Sequence, residues 1–365
     1  MRRGVSGKYV SSFSELIRPF VPADLPPDPP IEISNARQRL LERAMLSLCR
    51  LDTIGLPQYA FIRREAVLSA RINGNQSSLV DLLLFELKGA SDAPFRNVAE
   101  VSDYVAALEY GLTGLRGGLP LSNGLIREMH RVLLARAWRS ATPGEFRDMQ
   151  NWVGGTRPSN AHYVPPPPTQ VENCMASLER FIQDPCSPLI KTALAHVQFE
   201  FIHPFFGGNG RIGRMLVPLM THPLLYLSLY FRDRQSEYYR LLDLVREEGD
   251  WESWLDFFLE GVGDTTSNAV STARQLAALL RDDARRVQAV GRGASSALLV
   301  FRAMCKRPIT TLKNLCKSTG LPFPTAGNSI DRLIRLGIVS ELSDCRRNRV
   351  FAYDRCLAII GCSCF

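Results

Sequence analysis

The sequence lacks the features that would place the chain in a membrane or outside the cell. No uninterrupted apolar run approaches the roughly 18 residues of a membrane-spanning helix. The opening segment, MRRGVSGKYVSSF, is basic but has no apolar stretch of the kind that a secretory signal peptide contains. We therefore expect a cytoplasmic protein.

Cysteine is present, but not in the spacing of a metal site. None of the nine cysteines forms a CxxC pair, and no paired histidines stand near them, which argues against zinc. An odd number of cysteines in a chain without a secretion signal indicates reduced thiols. The net charge of +8 suits a polyanionic partner such as a nucleotide or a nucleic acid, although it is also compatible with an ordinary, mildly basic protein.

Strand signals are nearly absent. From residue 33 onwards, apolar residues recur at helical spacing, as in NARQRLLERAMLSLCRLD and PLIKTALAHVQFEFI. The exceptions are a proline-rich lead-in over residues 1–30 and a loop-rich segment over residues 141–168, which has the pattern of a short hairpin. The sequence therefore predicts an all-α body.

A smaller region follows the linker-like stretch AVGRGAS at residues 289–295. It contains three short helical patterns and then VSELSDCRRNRVFAYD, which has the pattern of a hairpin with a basic tip. These are the elements of a winged helix-turn-helix. The predicted boundaries are a lead-in over 1–30, an N-terminal helical region over 31–110, a core over 111–288 and a winged helix over 295–357.

The stretch FIHPFFGGNGRIGRML, residues 201–216, contains no acidic residue but combines a histidine with several anion-binding features. Its glycines allow backbone conformations that point N–H groups at an anion, and a helix starting after them adds its own free N–H groups. These glycines are Gly207, Gly208 and Gly210. Arg211 and Arg214 are one helical turn apart and can both face a phosphate, to which arginine donates two parallel hydrogen bonds.

Two further side chains belong to this stretch. Asn209 adds an amide that can reach a phosphate oxygen, and His203 lies beside the glycines, where it can accept a proton from an attacking hydroxyl. A single histidine before a proline is more often structural, but a base, an anion nest and two arginines within twelve residues form a more specific pattern. The pattern predicts a phosphate-binding site with a general base.

The segment HPFFGGNGRIGR closely resembles the signature of the Fic (Fido) family, H-P-F-x-[D/E]-G-N-G-R-x-x-R. GEFRDMQNWVGG (144–155) and AHYVPPPP (161–168) resemble the start of that family's core and its flap, so the resemblance covers about residues 30–365. It implies a helical Fic/Fido core with a small flap hairpin, plus a winged helix. It also implies transfer of AMP from ATP to a tyrosine, threonine or serine hydroxyl of a protein.

The resemblance implies a role for each matching residue. His203 would be the general base, and Phe205 would pack beneath the loop. The N–H groups of Gly207, Gly208, Asn209 and Gly210, together with the Asn209 amide, would hold the phosphates. Arg211 and Arg214 would neutralise the leaving pyrophosphate, and Tyr239 or its neighbour Tyr238 would border the base. The flap would hold the target segment as an added strand.

The chain departs from the family pattern at two carboxylates. Gly207 stands where the signature has the Asp or Glu that holds Mg²⁺, and glycine offers no oxygen ligand for that ion. In SARING (69–74), Ser69 and Gly74 match the family's inhibitory motif, [S/T]-x-x-x-E-[G/N], but Asn73 replaces the glutamate that pairs with the second arginine, here Arg214. We therefore expect a weakened transferase with a weakened brake, although Asn73-Gly74 is also an ordinary helix-ending pair.

Other functions stay open at this stage. The main alternative is a non-catalytic nucleotide-binding protein that acts through its winged helix on DNA or on a protein. Transfer of UMP or phosphocholine is a third. Self-modification and a homodimer are further expectations. The basic tip at Arg346, Arg347 and Arg349 allows contact with phosphate backbone, but the reading helix has few exposed cations.

Overall fold

The computed structural model describes residues 3–11, 17–52, 58–88, 96–136, 142–185, 187–343 and 349–361. The chain divides into two compact units. The first comprises Met1–Asp52, Ser69–Gly74 and Asp103–Ser267, and the second comprises Thr53–Leu68, Asn75–Ser102 and Asn268–Phe365. Most described residues are helical, so the all-α prediction is confirmed.

The secondary-structure elements follow one another along the chain. The first group is β1 (Gly7–Tyr9), β2 (Phe20–Pro22), α1 (Asn35–Asp52), α2 (Gln58–Ile72), α3 (Leu79–Lys88), α4 (Arg96–Arg116), α5 (Asn123–Leu133), α6 (Pro168–Gln183) and α7 (Pro188–Ile202). The second group is α8 (Asn209–Met220), α9 (Ser228–Asp233), α10 (Gln235–Glu248), α11 (Trp251–Gln288), α12 (Ala294–Lys306), β3 (Ile309–Thr311), α13 (Leu312–Thr319), α14 (Phe323–Arg335), β4 (Ser340–Glu341), β5 (Val350–Ala352) and α15 (Asp354–Gly361).

Helix α7 is the central helix of the first unit. It is apolar on every side, and most of its residues are buried, as expected of a helix enclosed by others. It packs against α6, α8 and β2. On one side, the Trp254 indole N–H donates to the Ala193 carbonyl at 2.9 Å, within a cluster of buried aromatic rings that includes Phe231 and Tyr238. This packing fixes the end of α7, where the signature stretch begins.

The sequence predicts that the lead-in over residues 1–30 is irregular, but two short strands form in it. Strands β1 and β2 pair antiparallel, with Tyr9 opposite Phe20. The Phe20 ring is fully buried and lies edge-on to Phe201 at 5.7 Å between ring centroids. Three-residue strands are too short to show a period-two pattern in a proline-rich sequence, which explains why the sequence does not reveal them.

The second unit has its own apolar core. Phe301, Leu333 and Phe351 are among its buried residues. Helices α12, α13 and α14 and the β4–β5 pairing are present, as the sequence predicts, and the structure adds β3 in a sheet of order β3-β5-β4. The basic tip at Arg346 and Arg347 lies outside the described residues. The winged-helix assignment of this region stays a prediction.

None of the described helices is both long enough and apolar enough to cross a membrane.

Candidate functional site

The signature stretch is a sharp turn between α7 and α8. His203 ends α7 in the left-handed conformation, with φ 47° and ψ 58°, and it is the one non-glycine residue with positive φ among those that the structure describes. Gly208 is also left-handed, with φ 82°, and α8 starts at the next residue. The first N–H groups of α8 have no acceptor within the helix. His203 lies six residues before this open end of the helix.

Backbone carbonyls along this turn are held by side chains from elsewhere in the first unit. Arg147 donates to the carbonyls of Ile202 and His203, and the Asn151 amide donates to the Phe205 carbonyl at 3.0 Å. The turn is therefore tied down through several of its C=O groups.

Asn209 does not have the orientation that the sequence predicts. Its amide points inward, where Oδ1 accepts from the Phe205 N–H at 2.9 Å and Nδ2 donates to the Phe205 carbonyl at 2.7 Å. The side chain is 1% exposed. Because the backbone of Phe205 lies within reach and would otherwise leave buried polar groups unpaired, the amide closes the turn rather than extending towards a phosphate.

His130, on α5, supports the same turn. The Gly144 N–H donates to its Nδ1 at 2.9 Å, so Nε2 carries the proton and donates to the Gly207 carbonyl at 2.9 Å. The ring also stacks on Phe205 at 3.7 Å between centroids. Burial lowers the His130 pKa to about 4, so the ring is neutral at pH 7. His130 thus fixes the backbone at Gly207.

The His203 imidazole is also neutral at pH 7. Burial, reinforced by the Arg147 charge, lowers its pKa to about 4, against a smaller opposing effect of a hydrogen bond to the Glu200 carbonyl. A neutral imidazole can accept a proton, but a pKa near 4 makes it a weak base. Bound phosphates would raise that pKa, because negative charge favours the imidazolium.

Arg214 is held by the segment that resembles the inhibitory motif. Its Nε donates to the Ser69 hydroxyl at 2.7 Å and its Nη2 donates to the Ser69 carbonyl at 3.1 Å. Both residues are buried, at 0% exposure for Ser69 and 4% for Arg214. Asn73 and Gly74 lie at the exposed end of the segment. The contact with Arg214 is therefore made by Ser69 and not by Asn73.

Glu200 places a buried carboxyl oxygen beside α8. Its Oε1 is inaccessible to solvent and has no hydrogen-bond partner in the part of the chain that the structure describes. A Cβ on Gly213 would come within 2.5 Å of this oxygen, so only glycine allows the approach. Burial raises the Glu200 pKa to about 7, although the Arg214 charge opposes the shift.

The raised pKa of Glu200 makes stability depend on pH. Between pH 4.5 and 7 the folded protein keeps a proton that the unfolded chain releases, so the free energy of unfolding falls as pH rises through this window. Glu200→Gln stays neutral. We expect its unfolding free energy, relative to wild type, to rise by about 1–3 kcal/mol from pH 5 to pH 8, measured by urea unfolding. Glu172→Gln, exposed on α6, is the control, and a difference for Glu200→Gln that does not vary with pH would contradict this assignment.

The remaining sequence-predicted residues are placed as follows. Tyr238 is buried, and its hydroxyl hydrogen-bonds His196 Nε2 at 2.9 Å, while His196 Nδ1 bonds the Gly213 carbonyl at 2.9 Å. It therefore belongs to the core. Tyr239 is 44% exposed and lies edge-on to Tyr238, which leaves it accessible to a ligand. Arg211 is partly buried, and its guanidinium lies near Gly208.

The residues around the turn do not fit a magnesium ion. Gly207 has no side-chain oxygen, and no group of three His, Cys, Asp or Glu residues that could hold a metal occurs within the described ranges. The carboxyl nearest to the turn along the chain, Glu200, is buried against Gly213.

The segment predicted as a flap forms a narrow hairpin next to the turn. Val153 pairs with Tyr163 in an isolated antiparallel bridge. The Tyr163 hydroxyl donates to the Phe201 carbonyl, which ties the hairpin to the end of α7. Trp152 is 38% exposed.

Four residues that the sequence does not single out shape the site: His130, Arg147, His196 and Glu200. Each lies in a segment with an ordinary helical or loop pattern, and each acts on a residue that is close in space. Glu200 and His196 have the best available signal, since a titratable residue in the middle of a mostly apolar, buried helix such as α7 is unusual.

Comparisons with known proteins agree with this fold. Residues 120–221 match the family model described as "Fic/DOC family", and residues 38–113 match the one described as "Fic/DOC family N-terminal". Several curated relatives carry the name "Protein adenylyltransferase Fic". The one from Drosophila ananassae is 33% identical over 140 residues, which are 37% of this chain and 26% of the relative. The one from Drosophila grimshawi is 31% identical over 159 residues, which are 42% and 31%.

Solved structures show the same fold. A Fic family protein from Desulfovibrio desulfuricans G20 has a TM-score of 0.58 at 22% identity, over 90% of this chain and 98% of that one. Fic-1 from C. elegans (residues 134–508) has a TM-score of 0.51 at 20% identity, over 65% and 72%. The fold is that of a Fic core, and the two family models that match this chain, over residues 38–113 and 120–221, are both models of the Fic/DOC family. The chain spans between about a quarter and a third of the length of the curated relatives named above.

Proposed function

We propose that the protein transfers AMP from ATP to tyrosine, threonine or serine hydroxyls of a target protein or of itself, and that the reaction is attenuated at Gly207. The observation that carries the proposal is the turn itself. A neutral, partly buried histidine at the end of α7 lies within six residues of the open N-terminus of α8, which also carries Arg211 and Arg214. Curated relatives named protein adenylyltransferases support the same activity.

The proposed chemistry uses residues of the turn. The His203 imidazole accepts the proton of the target hydroxyl as its oxygen attacks the α-phosphorus of ATP. A bond forms between that oxygen and the phosphorus, the bond from the α-phosphorus to the bridging oxygen breaks, and pyrophosphate leaves. The N–H groups at the start of α8 hold the phosphates, and Arg211 and Arg214 neutralise the leaving group. The Val153–Tyr163 hairpin would present the target segment.

Arg214 needs to be free of Ser69 to act in this way. In the structure its Nε and Nη2 are both directed at Ser69. Such a contact between a neutral hydroxyl and a guanidinium is weaker than a carboxylate pair. We therefore propose that the segment restrains Arg214 only partly, and that Asn73 is the position where a stronger brake is missing.

A glutamate at position 73 is expected to restore that brake. Asn73→Glu adds a carboxylate at the end of the segment that already contacts Arg214, and a charged hydrogen bond of about 1.5–3 kcal/mol corresponds to a loss of about tenfold to a hundredfold. We expect ATP affinity, measured by calorimetry, to fall by that factor. Asn73→Gln, which has the same length but no charge, is the control. Equal ATP affinities for the two variants would contradict a role of position 73.

Mass spectrometry tests the proposed function directly. The purified protein is incubated with ATP and with Mg²⁺ or Mn²⁺, and peptides are searched for an added AMP. UTP and CDP-choline in parallel reactions test the other phosphate-linked groups. An adenylylated tyrosine, threonine or serine supports the proposal. Modification only by another nucleotide would change the substrate class, and no modification even of the Gly207→Asp variant would remove the proposal.

The absence of a metal ligand at Gly207 favours a second candidate, a nucleotide-binding protein without turnover. Such a protein would bind ATP at the turn and act through the predicted winged helix on DNA or on another protein. Arg349 weighs against DNA, because its guanidinium already pairs with Glu341 and Asp331. A shift in the electrophoretic mobility of duplex DNA that weakens with salt would support DNA binding. The absence of a shift at low salt would contradict DNA binding. The cytoplasmic location and a homodimer stay predictions.

A further inference from the structure

Arg147 is a buried cation with an unusual set of partners. Its side chain is 2% exposed, and its guanidinium donates only to backbone carbonyls. These belong to His203 at 2.9 Å, Pro166 at 2.6 Å, Met149 at 3.4 Å and Ile202 at 3.4 Å. No carboxylate lies within ion-pair distance of it in the described ranges. Buried arginines normally have such a partner, because an uncompensated charge in the protein interior is unfavourable.

The carbonyls that Arg147 binds are those of the catalytic turn. Ile202 and His203 end α7, where carbonyls lack intrahelical donors and carry the negative end of the helix dipole. The backbone N–H of Arg147 also donates to the Pro204 carbonyl at 2.9 Å. His203 occupies a left-handed conformation that non-glycine residues rarely adopt. Arg147 therefore stabilises a backbone geometry that the sequence around His203 does not favour by itself.

The positive charge of the Arg147 guanidinium also acts on the His203 imidazole. Other titratable groups on the elements around the turn include His196 and Glu200 on α7, His130 on α5, and Arg211 and Arg214 on α8. Among charged groups, Arg147 is the one that acts on His203 through its charge, and it lowers the His203 pKa. The pKa of Arg147 is itself lowered by burial, to about 10, so the guanidinium stays charged at pH 7.

We propose that Arg147 is a positioning residue for His203: its guanidinium fixes the turn that presents the imidazole, and its positive charge adds to burial in disfavouring the imidazolium. The same guanidinium binds the Pro166 carbonyl, so it also links the turn to the segment that follows the hairpin. The proposal deepens the function proposed above and rests on it for the role of His203 as a base.

The charge half of the proposal is tested without turnover. The full chain is labelled with ¹³C-histidine, and the ring signals are followed by NMR from pH 3 to pH 8, with His203→Gln used to assign the His203 signal. We expect Arg147→Gln to raise the His203 titration midpoint by about one pH unit, and Arg147→Lys to leave it near wild type. His196, whose pKa is lowered by burial and by Arg214, is the internal control and should not move. An unchanged His203 midpoint in folded Arg147→Gln overturns this half.

The geometric half is tested by AMP transfer in the Gly207→Asp background. Lysine keeps the charge but cannot bond several carbonyls in one plane, so we expect Arg147→Lys to lower kcat about tenfold at an unchanged KM for ATP. Full kcat in the lysine variant overturns this half. If Arg147→Gln does not fold, Arg147→Met takes its place in the titration, since it also removes the charge, and the lysine variant decides the geometric half. If no variant transfers AMP, the proposed function fails, while the titration still reports on Arg147.

Discussion

Gly207→Asp is expected to raise AMP transfer by about a hundredfold or more in the presence of Mg²⁺. The aspartate would supply the carboxylate ligand that the turn lacks, and metal-assisted charge stabilisation contributes several kcal/mol to reactions of this kind. Because each 1.36 kcal/mol changes a rate about tenfold, even part of that contribution accounts for the expected gain.

The structure accepts this substitution at position 207. A Cβ there would meet no atom within 4 Å, and the backbone of Gly207 does not have the positive φ that disfavours other residues. The next glycine differs, since Gly208 has φ 82° and a Cβ there would lie 3.2 Å from Leu133. Aspartate at 207 is therefore expected to fold without strain, whereas aspartate at 208 is not.

The measurement is incorporation of labelled AMP over time, with Mg²⁺ and with chelator. Gly207→Asn is the matched control, because it has the same size as aspartate but no charge. We expect the gain only for the aspartate and only with the metal. A rate for Gly207→Asp that equals that of Gly207→Asn would show that the missing carboxylate does not limit the reaction.

His203→Asn in the Gly207→Asp background should lower transfer by about 10²–10⁴-fold, the range that a general base contributes. Asparagine is chosen because it tolerates the left-handed conformation better than most residues, so the turn should persist. ATP binding should survive, since the imidazole is assigned to the proton and not to the phosphates.

The control for this loss is another histidine in the first unit. His222 follows the far end of α8, where its Nδ1 accepts from the Leu224 N–H at 3.1 Å, and asparagine can accept the same hydrogen bond. His222→Asn should leave the rate unchanged. If the His203 variant retained transfer while the protein stayed folded, His203 would not be the general base.

The helical body and the location of the turn could be predicted from the sequence because both depend on local patterns. Helical periodicity identifies α1 and α7, and a histidine, glycines and arginines within twelve residues mark the turn. Ser122, a residue type that favours the start of a helix, also caps α5 through a hydrogen bond from the Leu125 N–H to its hydroxyl. Each of these signals lies within a few residues of the feature it predicts.

What the sequence does not show depends on contacts between distant segments. The Arg147 side chain hydrogen-bonds the carbonyl of His203, which is 56 residues away along the chain. His130 hydrogen-bonds the carbonyl of Gly207, which is 77 residues away. The inward orientation of Asn209 follows from the neighbouring Phe205 backbone, which the sequence places nearby but does not orient. Strands β1 and β3 have three residues each, so their pairing depends on a partner rather than on a pattern.

The segment Ser69–Gly74 shows both outcomes. The resemblance places Ser69 to Gly74 near Arg214, and the structure brings Ser69 into contact with that guanidinium. The sequence, however, directs attention to Asn73, because that is where the family pattern has a charge. Which of the two residues touches Arg214 depends on how α2 is oriented about its axis, and a single helical turn does not fix that orientation.

The central claim is that the N–H groups at the start of α8, with Arg211 and Arg214, bind the phosphates of ATP. Isothermal titration calorimetry of ATP at low ionic strength tests it most directly, in wild type, Gly207→Asp and Gly207→Asp with Arg211→Ala. The account predicts saturable ATP binding to Gly207→Asp with millimolar Mg²⁺ and at least tenfold weaker binding, about 1.4 kcal/mol or more, once Arg211 is removed. No heat of binding to the Gly207→Asp variant under these conditions would contradict it.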